Sequence, residues 1–235
     1  MFLAIMIIAF IACENPSWNC LRGNGIIETE TRDLQYYNGV VSEGAFEVFY
    51  IMDTIYSVEL KTDENLIPYI RTRVSGNTLI VDNGTRKCLR SEYPIQIFVH
   101  APEISLMSLA GSGMISADYI YTDALILQIE GSGVIDMKDL DVIDLEALVT
   151  GSGDVDLWGR AKNAIYTITG SGTISAQNLR AHNCIAEISG SGTIYCYSEE
   201  KIHAIISGSG SIFYLGNPSE VNTNVTGSGV VKTIP

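Results

Sequence analysis

The tripeptide Gly-Ser-Gly occurs seven times in this chain of 235 residues, at nearly constant spacing. The copies begin at Gly111, Gly131, Gly151, Gly170, Gly190, Gly208 and Gly227, in steps of 20, 20, 19, 20, 18 and 19 residues. A period near 20 residues is typical of repeat proteins, whose units bury their apolar faces only against one another. The chain is therefore expected to fold as an array of stacked units.

Branched aliphatic residues flank every copy of the tripeptide. Two positions before it stand Leu109, Ile129, Val149, Ile168, Ile188, Ile206 and Val225. Two positions after it stand Ile115, Ile135, Val155, Ile174, Ile194, Ile212 and Val231. Mostly polar residues alternate with them, and this period of two is typical of half-buried strands, which β-branched side chains suit. The sequence predicts an all-β fold, a parallel β-helix or β-solenoid with about 20 residues per coil.

The tripeptide itself is predicted to form a corner of each coil. Counting by twos from the flanking aliphatic residues places both glycines inward and the serine outward. Glycine leaves room for the opposite wall and permits backbone angles that bend the chain. These structural corners are Gly111, Gly113, Gly131, Gly133, Gly151, Gly153, Gly170, Gly172, Gly190, Gly192, Gly208, Gly210, Gly227 and Gly229.

The outward serines have two interpretations. They could form a hydroxyl stripe that contacts a glycan or a partner, or they could simply fill a tight, solvated corner. Seven equivalent serines cannot all be nucleophiles, and no Gly-x-Ser-x-Gly elbow accompanies them. The sequence therefore assigns no catalytic residue.

Charge excludes one class of partner. The chain has 14 Lys and Arg against 27 Asp and Glu, a net charge of −13 and a pI near 4.5. Nucleic-acid binding needs clusters of Lys and Arg that face phosphates, and such clusters are absent from this sequence. We expect no nucleic-acid partner.

The first residues resemble an export signal. Residues 1–12 are apolar but too short to span a bilayer, and Phe10-Ile11-Ala12-Cys13 resembles the lipobox of bacterial lipoproteins. Phenylalanine replaces the usual leucine, and no Lys or Arg precedes the apolar run. A cleaved secretory signal without lipid and a cytosolic core segment are the alternatives. The lipobox predicts lipidation at Cys13 and attachment to a membrane through that anchor, with residues 13–30 as a polar tether.

Residues 31–105 are rich in predicted strands but lack the tripeptide. Residues 44–50, 57–60, 78–81 and 95–99 have strand-like patterns, separated by turn signals. This part is expected either to begin the solenoid irregularly or to form a small sheet packed on its end. Residues 106–235 are expected to form the regular repeat solenoid.

The repeats and the segments before them resemble a known family, the auto-transporter adhesin head GIN domain, found in envelope lipoproteins of Bacteroidetes. The resemblance rests on the serial Gly-Ser-Gly units with Ile and Val flanks, and on the upstream runs Val58-Glu59-Leu60, Asp63-Glu64-Asn65-Leu66, Gly76-Asn77-Thr78-Leu79-Ile80 and Pro94-Ile95-Gln96-Ile97-Phe98-Val99. It covers about residues 40–235. The resemblance implies a right-handed β-helix shaped like the pectin lyases, an adhesion role and no agreed catalytic residues.

One acidic group stands out among the repeats. Asp136 and Asp156 occupy the same outward position in adjacent coils, Asp154 lies two residues before Asp156, and Trp158 follows. These residues could form a weak cation or sugar site, since carboxylates bind Ca²⁺ and hydroxyl groups. The alternative is a solvated acidic face on an acidic protein.

Exposed aromatic residues provide a second candidate face. Tyr195 and Phe213 share one outward column in neighbouring coils, where they could bind sugar rings or a second subunit, or be covered by a loop. The three histidines, His100, His182 and His203, are too scattered for a zinc site. We expect no metal and no cofactor.

The cysteines other than Cys13 form two pairs. Cys184 and Cys196 are in phase with the inward positions and are expected to be buried free thiols. A Cys20–Cys88 disulfide is compatible with an oxidising envelope, but the spacing leaves its formation open.

Together these features favour a non-catalytic, lipid-anchored protein of the bacterial cell envelope, with the outer membrane as the expected site. Its solenoid would present a rigid face for adhesion or scaffold contacts, with a glycan or a host or matrix protein as the partner. One alternative is a carbohydrate-binding or polysaccharide-degrading protein on the same fold. Another is a structural or oligomerisation module, which a self-complementary apolar patch would mark.

Overall fold

A computed structural model describes residues 20–235, and the lipidation signal at Cys13 lies outside this range. The N-terminal strands are β1 Leu21–Arg22, β2 Ile27–Asp33, β3 Gly39–Glu43, β4 Glu47–Met52, β5 Ser57–Asp63, β6 Ile70–Ser75, β7 Thr78–Asn83, β8 Leu89–Arg90 and β9 Gln96–Ala101. The repeat strands are β10 Leu106–Gly111, β11 Met114–Ala117, β12 Ile120–Gly131, β13 Val134–Gly151, β14 Asp154–Gly170, β15 Thr173–Gly190, β16 Thr193–Gly208, β17 Ser211–Leu215, β18 Glu220–Gly227 and β19 Val230–Thr233. One 3-10 turn, Ile67–Tyr69, is the single helical element among the described residues.

Residues 106–235 form the β-solenoid that the repeat period predicts, with coils about 20 residues apart and about six turns in all. Successive strands pair in parallel, and the first glycines of all seven tripeptides stand in one register column. The fold class predicted from the sequence is therefore confirmed. Each coil adds one layer to a rod whose strands run across its long axis.

Each coil has three sides, which the burial pattern separates. In the coil that follows Gly131, buried and outward residues alternate along 134–137, 140–142 and 145–150. Two consecutive exposed residues interrupt the alternation at each break, and such a break turns the chain while keeping apolar side chains inside. We call these segments and their equivalents in other coils the first, second and third sides.

The two glycines of each tripeptide have different tasks at the corner. The first has a φ angle between 115° and 135° in every copy, a conformation that only glycine adopts readily. At the second glycine of every copy after the first, an added Cβ would collide with an aliphatic side chain of the preceding coil, and at Gly113 it would collide with the backbone of Phe46. At Gly153 this Cβ would lie 2.6 Å from Cγ2 of Ile129. The sequence spacing assigned the bend and the inward position to both glycines. In the structure, the first glycine makes the bend and the second takes the inward position.

Backbone hydrogen bonds continue from coil to coil through this corner. Ser152 donates its N–H to the carbonyl oxygen of Gly131 at 2.8 Å, and Asp154 donates to that of Gly133 at 3.0 Å. The same pair of bonds recurs at each later tripeptide. Through these two bonds the ladder of backbone hydrogen bonds continues across the bend.

The coils of the N-terminal part do not stack in sequence order. β3 and β4 pair with β10 and β11 on one side and with β7 and β9 on the other. The chain therefore forms one coil with β3 and β4 and continues through β5–β9. It then returns with β10, which pairs with β3 and continues the solenoid from that first coil. The strands β7 and β9 form an outer layer beyond it.

Antiparallel strands cover this outer end. β5 pairs with both β2 and β9, and β6 pairs with β7, all antiparallel. Such pairing protects the edge of the terminal coil, which would otherwise expose unpaired backbone groups. Residues 31–105 thus combine irregular coils with a small end sheet.

The interior is a continuous apolar column with one aromatic residue in its repeat part. Tyr166 is fully buried, and alanines occupy its register positions in the adjacent coils, Ala147 and Ala186. Small neighbours give the ring its space. Cys184 and Cys196 are also buried and unpaired, as their phase predicts. A disulfide joins Cys20 to Cys88 beside the short β1–β8 pair.

Candidate functional site

One outward column of the first side is continuous over nine strands. Its members are register partners, and all but the last are half-buried. We call it the first-side column: Phe98, Phe49, Ser116, Asp136, Asp156, Ser175, Tyr195, Phe213 and Lys232. Because parallel coils are about 4.8 Å apart, the column presents one side chain per step along the rod.

Aromatic rings stack near both ends of this column. Phe49 and Phe98 lie with centroids 5.2 Å apart and planes at 19°, and Tyr195 and Phe213 lie 5.2 Å apart at 18°. The sequence predicted that Tyr195 and Phe213 would share a column. It did not reveal Phe49 and Phe98, because their coil lacks the tripeptide and stacks out of sequence order.

Small side chains separate the two aromatic stacks. Between Phe49 and Tyr195 the column holds two serines and two aspartates, so it forms a trough closed at each end by a ring face. A hollow of about 230 Å³ lies at the Phe49 end, bordered by Ser116 and by an ion pair between Lys138 and Asp118 at 2.9 Å. The hydrogen bond to Asp118 raises the pKa of Lys138, which keeps this ammonium charged.

The aspartates predicted as a ligand or cation face are only partly brought together. Asp136 and Asp156 are direct register partners, whereas Asp154 is exposed in the next column, between Val134 and Thr173. Within residues 20–235, no three His, Cys, Asp or Glu side chains gather closely enough to hold a metal ion. The arrangement suits hydrogen bonds to hydroxyl groups better than coordination of a cation.

Trp158 lies at the corner between the first and second sides rather than beside the aspartates. The register shifts between Asp156 and Trp158, which pairs with Asn178, and the next residue, Gly159, pairs with Leu140. The indole is 52% exposed. The sequence grouped Trp158 with the aspartates, and this shift of register separates it from their column.

The second side has its own continuous column, which sequence reasoning missed. Its register partners are Tyr121, Asp141, Arg160, Arg180 and Tyr197. Arg160 forms a two-pronged ion pair with Asp141, with Nε 2.9 Å from Oδ1. The hydrogen bond from Arg160 lowers the pKa of Asp141, so this carboxylate remains ionised at neutral pH.

The serines and histidines of the chain do not converge. The tripeptide serines lie exposed at the corner, apart from the three histidines. Nδ1 of His100 is 3.1 Å from Asp53, and that of His182 is 3.5 Å from both Glu199 and Glu200. These contacts stabilise loops and corners and do not assemble an acid–base pair with a serine.

A family model described as "Putative auto-transporter adhesin, head GIN domain" matches residues 36–218. The chain belongs to this family. The resemblance read from the tripeptides is thereby confirmed. The family and its structural relatives support an adhesion-like role at the cell envelope or surface, and none of their descriptions indicates an enzyme.

Solved structures agree with this assignment. A "putative adhesin" from Bacteroides fragilis NCTC 9343 has a TM-score of 0.85 and 28% identity, over 91% of this chain and 100% of that one. A "putative lipid binding protein" from Parabacteroides distasonis ATCC 8503 has a TM-score of 0.75 and 22% identity, over 92% and 100%. A "putative adhesin" from Parabacteroides merdae ATCC 43184 has a TM-score of 0.72 and 21% identity, over 92% and 100%. The last two show the shared fold alone.

No curated protein matches the chain. None of the helical structure found in residues 20–235 is long and apolar enough to cross a membrane.

Proposed function

We propose that this protein is a non-catalytic lipoprotein of the bacterial cell envelope that binds its partner along the first side of the solenoid. The partner is a surface glycan or a matrix protein, and the contact serves adhesion or scaffolding. Lipidation at Cys13 would hold the solenoid at the outer membrane through residues 13–30.

The first-side column is the observation that carries this proposal. It is an unbroken row in which ring faces of Phe49 and Tyr195 bound a trough of hydroxyl and carboxylate groups. Aromatic rings bind the apolar faces of sugar rings and of partner side chains, while serine and aspartate pair with hydroxyls and amides. Since every member stands on a paired strand, the face is rigid and needs little ordering on binding.

The disulfide between Cys20 and Cys88 supports an export route. Such bonds form in oxidising compartments, which include the periplasm and the cell surface. This agrees with the signal predicted in residues 1–12. Metabolic labelling with an alkyne fatty acid tests the anchor, because Cys13→Ala should abolish the label while export continues.

The binding role is tested with the soluble fragment from residue 20 onward on arrays of polysaccharides and matrix proteins. Reducing-end release is measured in the same wells. We expect saturable binding without release of product. Tyr195→Thr, which removes one ring from the trough but keeps a strand-forming residue, should weaken binding at least fivefold.

A matched control is available on the third side. Ile185 is 37% exposed and points outward, so Ile185→Thr removes exposed apolar surface elsewhere on the rod. It should leave binding unchanged. Product release from any glycan would contradict the non-catalytic role, and equal losses in both variants would contradict the choice of the first side.

A further inference from the structure

Residues 106–235 contain two arginines, Arg160 and Arg180, and these two lie side by side. They are direct register partners on the second side of adjacent coils. Like charges placed directly opposite each other on neighbouring strands destabilise a sheet. In a chain with a net charge of −13, this pairing concentrates positive charge at one place.

The two guanidinium groups differ in their partners. Arg160 is neutralised by Asp141, as described above. Arg180 has no carboxylate within 4.0 Å anywhere in the part of the chain that the structure describes, and its guanidinium carbon lies 5.7 Å from the ring centroid of Tyr197. Stacking on a ring holds the guanidinium in place but leaves its N–H edge free. Arg180 therefore offers an oriented fork of donors to a ligand.

A cleft lies in front of these two arginines. It has a volume of about 380 Å³ and is lined by Tyr119, Asp139, Asp141, Gly159, Arg160 and Arg180. Gly159 forms its floor with a φ angle of 124°, and a side chain there would collide with the backbone of Leu140.

Exposed aromatic residues border the cleft. Tyr119 lines it and is 46% exposed, and Trp158, which is 52% exposed, immediately precedes the glycine floor. Large exposed rings beside charged donors are typical of binding sites that hold a ligand with both an apolar face and an anionic group.

We propose that this cleft binds a hexuronic acid residue of an acidic polysaccharide. The ligand carboxylate accepts two hydrogen bonds from Arg180, and the face of the sugar ring lies against Tyr119. Hydroxyl groups of the sugar donate to Asp139. The site is separate from the first-side column, and the proposal does not depend on binding there.

The charges of the cleft favour this ligand over other anions. Asp139 and Asp141 would repel a phosphate group, which carries nearly two negative charges at neutral pH. A hexuronic acid has one carboxylate, which the free guanidinium of Arg180 can bind. Its hydroxyl groups can donate to the acidic acceptors of the cleft at the same time. Planar, two-pronged recognition by arginine also matches a carboxylate closely.

The probe is a galacturonic acid oligomer, and the readout is the fluorescence of Trp158, which is the single tryptophan of the soluble fragment from residue 20 onward. The methyl-esterified oligomer is the matched ligand, because it keeps the rings and hydroxyls but lacks the charge. We expect saturable binding of the acid form and at least tenfold weaker binding of the ester. An oligomer of glutamic acid, which offers carboxylates without sugar rings, should also bind at least tenfold more weakly.

Variants identify the residue responsible. Arg180→Ala should weaken binding of the acid form about tenfold, and Arg180→Lys should restore part of it, because a lysine keeps the charge but not the fork. Lys87→Gln removes one exposed positive charge from the N-terminal part, away from the cleft and the first-side column, and should leave the affinity unchanged. Arg180 is exposed, so thermal unfolding of its variants should match that of the parent.

Three results would overturn the proposal. Equal binding of the acid and the ester would show that the carboxylate is not recognised. Unchanged binding by Arg180→Ala would place the ligand elsewhere, and equal or tighter binding of the glutamate oligomer would point to an acidic protein partner. Each is distinguishable from failure of the first-side role, which is tested with Tyr195→Thr and not with Arg180.

Discussion

A Cβ atom added to Gly151 would lie 2.5 Å from the carbonyl oxygen of Gly131, its register partner in the preceding coil. Real Cβ atoms do not approach a backbone oxygen this closely, and neither glycine can move without displacing its whole coil. Gly151 also has a φ angle of 125°. The corner thus depends on glycine for two separate reasons, the approach of two backbones and the left-handed conformation.

Replacing Gly151 by alanine is therefore expected to destabilise the solenoid strongly. The unfavourable φ angle and the backbone collision together should lower the free energy of unfolding by about 3 kcal/mol or more. Urea denaturation followed by circular dichroism measures this loss. Ser152→Ala is the control, because this side chain is exposed, and its effect should stay within about 0.5 kcal/mol. A loss of similar size in both variants would contradict the special role of the glycine.

The repeat part of the fold could be predicted because aligning the copies of the tripeptide gives the register between neighbouring coils. Aligned on Gly131 and Gly151, residues such as Asp136 and Asp156 become partners by counting alone. The second-side column could not be found in this way. The coil after Gly151 is one residue shorter than the coil after Gly170, and the register shifts by one residue between Asp156 and Trp158, so Arg160 and Arg180 pair despite unequal distances from their glycines.

The N-terminal coil shows a second limit of sequence reasoning. The residue patterns of β4 and β9 identify them as strands, but no local sequence pattern indicates that β4 lies between β9 and β11. This order follows from how the returning chain covers the end of the rod. The Phe49–Phe98 stack depends on it and was therefore invisible in the sequence.

Removing the hydroxyl group of Tyr166 is expected to stabilise the protein. This hydroxyl is buried and has no hydrogen-bond partner within the described part of the chain. Tyr166→Phe keeps the ring and should raise the free energy of unfolding by about 1 kcal/mol.

Tyr37→Phe is the opposite case, because the hydroxyl of Tyr37 donates to the carbonyl oxygens of Ser57 and His100 at 3.1 and 2.6 Å. It should lower the same quantity by about 1 kcal/mol. Thermal or urea denaturation of both variants checks the difference in sign.

Buried tyrosines also predict how the protein responds to alkaline pH. Burial raises the pKa of Tyr50 to about 12, and it raises those of Tyr37 and Tyr166 further above the ordinary value. A tyrosine whose pKa is raised by folding contributes stability that is fully present below pH 10 and is lost as pH rises through its folded pKa.

Stability should therefore fall from about pH 10 upward, and the loss should continue beyond pH 12. Phenolate absorbance at 295 nm, recorded beside circular dichroism, is the measurement. The buried tyrosines Tyr37, Tyr50 and Tyr166 should ionise only together with unfolding, so part of the phenolate absorbance should rise in step with the loss of the circular dichroism signal. Ionisation of all tyrosines in one step near pH 10, with the fold intact, would contradict the expectation.

Reduction of the Cys20–Cys88 disulfide is expected to loosen one end of the rod and leave the repeats intact. The bond lies beside β1 and β8, a two-stranded sheet separate from the large one, in which Leu21 donates to the carbonyl oxygen of Cys88 at 2.8 Å. Such a pair is too short to hold by itself. We expect faster hydrogen exchange in residues 20–25 and 85–91 after reduction, with no change in residues 106–235.

The double variant Cys20→Ser and Cys88→Ser should show the same pattern without reductant. If exchange instead accelerated throughout the repeats, the disulfide would be stabilising the solenoid as a whole, by up to about 4 kcal/mol for a closed loop of this length.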